Sequence, residues 1–124
     1  MAYSETIKLV VGDTLPELVV TLKDSNTAAS GKTLDVEDSS TWAPINLTSG
    51  SVKLFIRKVG ETTLTSTISM TLTDASNGVA TALFPSGTWT AAGIYEGEVE
   101  FTNSSGNIQT VQELIKFNVR DDFN

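Results

Sequence analysis

The chain has 124 residues, of which 40% are hydrophobic, enough for one folded domain and too many for a disordered chain. Its formal net charge of −7 disfavours nucleic acid and anionic membranes as partners, because both select for basic patches. With no cysteine and no histidine, the sequence excludes disulfides, thiolate metal sites, cysteine nucleophiles and a Ser-His-Asp triad.

Residues 1–5 carry no basic region followed by an apolar run, so they do not read as a signal peptide. No apolar stretch approaches the roughly 20 residues of a membrane helix. The first strand is expected over residues 6–11, closed by Gly12-Asp13. A second follows Pro16, whose missing N–H costs little at a strand start. In it Leu18, Val20 and Leu22 share one parity and point inward.

Residues 24–44 break the alternation. They are rich in Ser, Thr, Asp and Gly and make a long excursion for a β domain. A minor hairpin is expected around Leu34 and Val36, and a short return strand at Ile45-Asn46-Leu47.

Clean alternation resumes at residues 51–58, with Val52, Leu54 and Ile56 on one face and Lys53, Phe55 and Arg57 on the other. Ile68, Met70 and Leu72 share a parity in the next strand. Asp74-Ala75-Ser76-Asn77-Gly78 is a turn, since Asn and Gly both accept positive φ. Val79, Thr81 and Leu83 mark another strand, ending near Phe84-Pro85.

Residues 93–101 then place Tyr95, Val99 and Phe101 on a core parity and Glu96, Glu98 and Glu100 on the other. The acidic face meets water or a partner. Lys53 and Arg57 point outward on a strand expected beside it, which would offset the repulsion along the stripe. Gly93-x-Tyr95 at the strand start has the form of a tyrosine corner, with the hydroxyl bonded to backbone near residues 89–92. Residues 103–107 form a hairpin turn, and a last strand is expected from about Ile108 to Val119 with Ile115, Phe117 and Val119 inward. No segment of useful length has a helical period. The chain therefore reads as all-β: an immunoglobulin-like antiparallel β-sandwich of about seven to eight strands, one domain over 1–124 with a long loop insertion at 24–44.

Candidate chemistry is sparse. Glu96, Glu98 and Glu100 are the obvious source of a carboxylate pair, but alternation puts them on one exposed face, as a solvated or partner-facing stripe. Asp24, Asp35, Glu37 and Asp38 could supply hard oxygen ligands to calcium, although they lack the EF-hand order and equally describe a solvated acidic loop. Trp42, Trp89 and Tyr3 lie in expected loops or at the terminus, where aromatics cap a core, anchor a protein interface or stack on sugars. Phe123 is either frayed or set to enter a neighbour's pocket.

Five blocks taken in order carry a family resemblance. They are Gly12-Asp13-Thr14 before a Leu/Val strand, Pro44-Ile45-Asn46-Leu47-Thr48, Ser51-Val52-Lys53-Leu54-Phe55-Ile56-Arg57-Lys58, Ala92-Gly93-Ile94-Tyr95-Glu96-Gly97-Glu98-Val99 and Lys116-Phe117-Asn118-Val119-Arg120. Together they resemble the N-terminal domain of phage baseplate upper proteins, an immunoglobulin-like module of tailed phages. The resemblance spans nearly the whole chain, and its motifs are turns and core positions. It implies a non-enzymatic virion structural protein, a tail/baseplate or neck adaptor subunit assembled in the host cytoplasm. Its expected partners are other virion proteins, met in several symmetry-related copies that close into a ring. No nucleic acid, membrane, metal or cofactor is expected. The candidate interface residues are Trp42, Trp89, Glu96, Glu98, Glu100 and Phe123. A stand-alone sugar-binding or adhesin-like module, or a capsid decoration protein, are the alternatives.

Overall fold

The structure, a computed structural model, describes residues 6–14, 17–111 and 114–123, so Tyr3 and Pro16 lie outside the described residues. Its strands are β1 (Thr6–Val10), β2 (Leu18–Thr21), β3 (Lys23–Ala28), β4 (Trp42–Pro44), β5 (Ser51–Lys58), β6 (Leu64–Asp74), β7 (Val79–Ala82), β8 (Gly93–Thr102), β9 (Ile108–Thr110) and β10 (Ile115–Arg120). Seven of them follow one curled path, β1-β10-β8-β5-β6-β7-β2, with β9 added to β8. β6 serves both layers: it pairs with β5 from Leu64 to Met70 and with β7 at Thr71 and Asp74. The chain is thus an all-β sandwich of immunoglobulin-like topology. Pairing on this path is antiparallel except between β1 and β10, which run parallel. Those strands come from opposite ends of the chain, and a parallel pair needs such a long connection.

The core forms because cross-strand partners put their side chains on the same face. Val52 opposes Phe101 and Leu54 opposes Val99, while Phe117 opposes Tyr95. All six are buried. Leu18, Val20, Leu22, Ile68 and Met70 supply the other layer. Gly97 takes the inward position between Tyr95 and Val99, where a Cβ would lie 2.9 Å from Leu54 Cδ1 and 3.0 Å from Phe117 Cε2. The missing side chain leaves room for the Phe117 ring.

The tyrosine corner is present: the Tyr95 hydroxyl donates to the Ala91 carbonyl at 2.7 Å. Burial pushes the Tyr95 phenol above its ordinary value, and the Glu61 charge adds to the shift. Gly78 follows the 3₁₀ turn Ala75–Asn77 with φ +76°, and a Cβ there would meet the Leu22 carbonyl at 2.5 Å, so the turn admits only glycine.

Four expectations change. The inner face of β7 belongs to Ala80 and Ala82, continued by Phe84, while Leu83 is 59% exposed. Pairing decides this, because Leu18 and Val20 of β2 oppose Ala82 and Ala80 and must share their face. The expected last strand is two strands, β9 and β10. Both pair with β8, but their registers on it are out of step, as Thr110 opposes Glu100 and Ile115 opposes Gly97. In the long insertion, β3 and β4 form the hairpin, whereas Leu34 and Val36 lie in the connection between them. The return strand is Trp42–Pro44, not residues 45–47, because Ile45 N–H turns instead to the Leu22 carbonyl at 2.9 Å.

Candidate functional site

Two surfaces collect most of the residues singled out by the sequence. The first is the outer face of β5, β8 and β10. Cross-strand register sets Lys53 opposite Glu100, Phe55 opposite Glu98 and Arg57 opposite Glu96, with Lys116 opposite Glu96 on the other side. Glu96 therefore lies between two basic residues, whereas Glu100 lies between Lys53 and Thr110 of β9. Arg57 Nε donates to Glu96 Oε1 at 2.9 Å. Glu98 is exposed, and Glu96 and Glu100 are half-buried. Phe55, Leu64 and Leu114 add apolar surface around a depression of about 80 Å³ beside Glu96 and Glu98. Phe55 takes the outward place expected of it beside Lys53 and Arg57, whereas Lys116 was not anticipated as a member of this face. The outward parity of Lys116 was visible in the sequence, but its neighbouring strands were not.

The second surface is the β3–β4 ribbon. Its register is irregular: Lys23 opposes Pro44 and Asp24 opposes Ala43, then a shift brings Ala28 to Trp42. Local hydrogen bonds shape the segment between the strands. Asp24 carboxylate oxygens accept from Asn26 N–H and the Thr27 hydroxyl, both at 2.8 Å. Asp35 Oδ1 accepts from Glu37 N–H at 3.0 Å. Asp38 Oδ1 accepts from the Ser40 hydroxyl at 2.7 Å and from Ser40 N–H at 3.0 Å. Those Ser40 bonds, the hydroxyl's first, hold the Asp38 carboxyl below its ordinary value. Asp24, Asp35 and Asp38 thus cap backbone N–H groups, and among the described residues no group of three acidic side chains is placed to hold a metal ion. Trp42 is half-buried, and its Nε1 donates to the Asp35 carbonyl at 2.9 Å.

A groove of about 230 Å³ separates this ribbon from β9, lined by Leu22, Asn26, Trp42, Ile45, Gln109 and Val111 among others. An adjoining concavity of about 450 Å³ shares Asp24, Asn26, Ile45 and Gln109. Gln109 had no signal in the sequence, where it was simply part of a long last strand.

Trp89 belongs to neither surface, which corrects its place among the interface candidates. It is 1% exposed, and its ring centroid lies 5.2 Å from Phe84, 5.3 Å from Tyr95 and 5.1 Å from Phe117. The loop carrying it is drawn over the end of the sandwich by Gly12 N–H, which donates to the Trp89 carbonyl at 3.0 Å. It caps the core. Its Nε1 is buried amid these aromatic rings, without a hydrogen-bond partner among the described residues. Phe123 is 95% exposed, with the Arg120 guanidinium carbon 5.1 Å from its ring centroid.

No family model matches the sequence, and no curated protein matches it. Among solved structures, CopC from Methylosinus trichosporium OB3b aligns over 98% of this chain and 89% of its own, at 13% identity and a TM-score of 0.47.

Proposed function

We propose that this protein is a non-enzymatic structural subunit of a tailed-phage virion, a tail/baseplate or neck adaptor that docks other virion proteins through the outer face of β5, β8 and β10. The observation that carries this is convergence. Three of the blocks that carry the baseplate resemblance, residues 51–58, 92–99 and 116–120, are far apart in sequence. They include β5 and most of β8 and β10, which are neighbours in one sheet. Their outward residues form a lattice of alternating charge around the apolar Phe55. Such a face selects a partner by complementary charge and fixes its register, and mismatched charges penalise the wrong neighbour.

The test is reconstitution into particles. Mass spectrometry of purified particles is expected to find the chain in a whole-number ratio set by tail symmetry. Reversing Glu98 and Glu100 to Lys is expected to abolish incorporation while leaving the thermal midpoint of the free protein nearly unchanged, because both side chains point away from the core. Particles that lack the parent protein altogether, or that incorporate the reversed variant normally, would contradict the assignment.

A further inference from the structure

Gln109 sits in an unusual place. It opposes Phe101 in the β8–β9 register and so shares the face that Phe101 turns toward the core, yet it is polar and exposed. Conflicts between residue type and local pattern concentrate at functional sites. Here the inward face of β9 meets the groove in front of the β3–β4 ribbon rather than a packed interior.

We propose that this groove binds a neutral oligosaccharide, with the Trp42 indole as a stacking platform and the Asn26 and Gln109 amides reading sugar hydroxyls. An amide side chain offers both donors and an acceptor, as adjacent sugar hydroxyls require. Among the described residues neither amide side chain has a hydrogen-bond partner, whereas the Asp24 carboxylate is engaged by Asn26 N–H and the Thr27 hydroxyl. The Trp42 ring is held in place by its bond to the Asp35 carbonyl, so little side-chain entropy is lost when a ligand stacks on it. Leu22, Ile45 and Val111 give the groove an apolar lining suited to the C–H faces of a sugar ring. The cation at the groove, Lys23, is directed to the Ser39 carbonyl at 3.4 Å and stands next to Asp24 in the chain, which favours a neutral ligand over a sulfated or phosphorylated one. An extended peptide would instead pair with backbone, and β9 offers only three residues for that. The inference needs only the groove and does not rest on the virion assignment.

The test is titration of the ¹⁵N-labelled full chain with maltohexaose, cellohexaose, chitohexaose and mannohexaose. At least one is expected to shift the Trp42 indole N–H and the Asn26 and Gln109 side-chain amides together. Asn26→Ala and Gln109→Ala should each weaken that binding about five-fold, the effect of one hydrogen bond. Trp42→Ala should weaken it further, but it also removes a hydrogen bond that ties the ribbon to the Asp35 carbonyl, so the two exposed amide positions carry the decision. If none of the four sugars shifts groove resonances, or if both amide variants bind as the parent does, the assignment is wrong. Groove shifts caused by an extended threonine-rich peptide and by no sugar would make this a strand-docking site and overturn it as well.

Discussion

β5 pairs with β8 at eight consecutive residues, from Ser51 to Lys58, whereas β3 and β4 pair at three positions with a shift among them. Behind the first pair lie side chains with almost no exposure, including Val52, Leu54, Ile56 and Val99. In the ribbon and its connection, residues 23–44, no side chain is fully buried, and order comes from Asp24, Asp35, Asp38, Thr41 and Trp42 bonding to atoms nearby in sequence. The two regions obey different rules. The sheet is stabilised by apolar burial, which is cooperative across both layers. The ribbon is stabilised by local hydrogen bonds, each with a small net effect. Damage to the sheet should unfold the molecule, and damage to the ribbon should stay in the ribbon.

The largest expected effect is in the sheet. Phe117→Ala removes a fully buried ring that packs on Phe84 and Trp89, and should destabilise the protein by about 3–5 kcal/mol in urea melts. Trp42→Ala, a comparable loss of aromatic volume in the ribbon, should shift the same melt far less. Equal shifts would erase the distinction between the two regions.

Next is Gly97→Ala. The added Cβ presses on Leu54 and Phe117 inside a packed core, an overpacking cost of about 1–3 kcal/mol. A melt unchanged from the parent would mean that the Leu54 and Phe117 side chains can shift to admit the methyl group.

Tyr95→Phe should cost roughly 1 kcal/mol at neutral pH through loss of the bond to Ala91. It should also change the alkaline limb. The folded phenol has a pKa raised above its ordinary 10.0, so its stabilisation is fully present below that pH and is lost as pH rises through the folded value. Stability measured against pH should therefore fall less steeply above about pH 10 in the variant. Identical alkaline limbs would show that this phenol keeps its proton no better than an unfolded one.

A double-mutant cycle on Arg57 and Glu96 should give a smaller coupling still, at most about 0.5 kcal/mol, because the Arg57 side chain is 45% exposed and solvent screens the pair. The smallest effect on global stability is expected from Asp38→Ala. The Asp38 carboxyl is held low by Ser40, so its contribution is present above its ordinary 3.8 and is lost as pH falls through the folded value. Hydrogen exchange at Ser40 should quicken in this variant while exchange in β5 and β8 stays as in the parent. Faster exchange throughout the sheet would show that the ribbon braces it after all.

Alternation alone made much of the sandwich legible. β5, β8 and the inward residues of β10 could be assigned from parity, because a half-buried strand must repeat every two residues. The tyrosine corner was legible too, since its partner lies only four residues upstream and needs no knowledge of the rest of the fold. The ribbon was not legible: its side chains are mostly polar, without period, and bond locally instead of into a core. The parity of β7 was hidden for another reason. Val79 and Leu83 are the bulkier residues, but pairing with β2 turns Ala80 and Ala82 inward.

By itself, then, the sequence determined the all-β class, most of the core strands, the corner at Tyr95 and the outward acidic stripe, because each follows from contacts or periodicities within a few residues. Tertiary structure alone decided what surrounds those features. It set Arg57 and Lys116 on either side of Glu96, buried Trp89 among three aromatic rings, and opened a groove that brings Asn26, Trp42 and Gln109 together. Those outcomes depend on which strands become neighbours, and neighbours are chosen by the fit of the whole core rather than by any one segment.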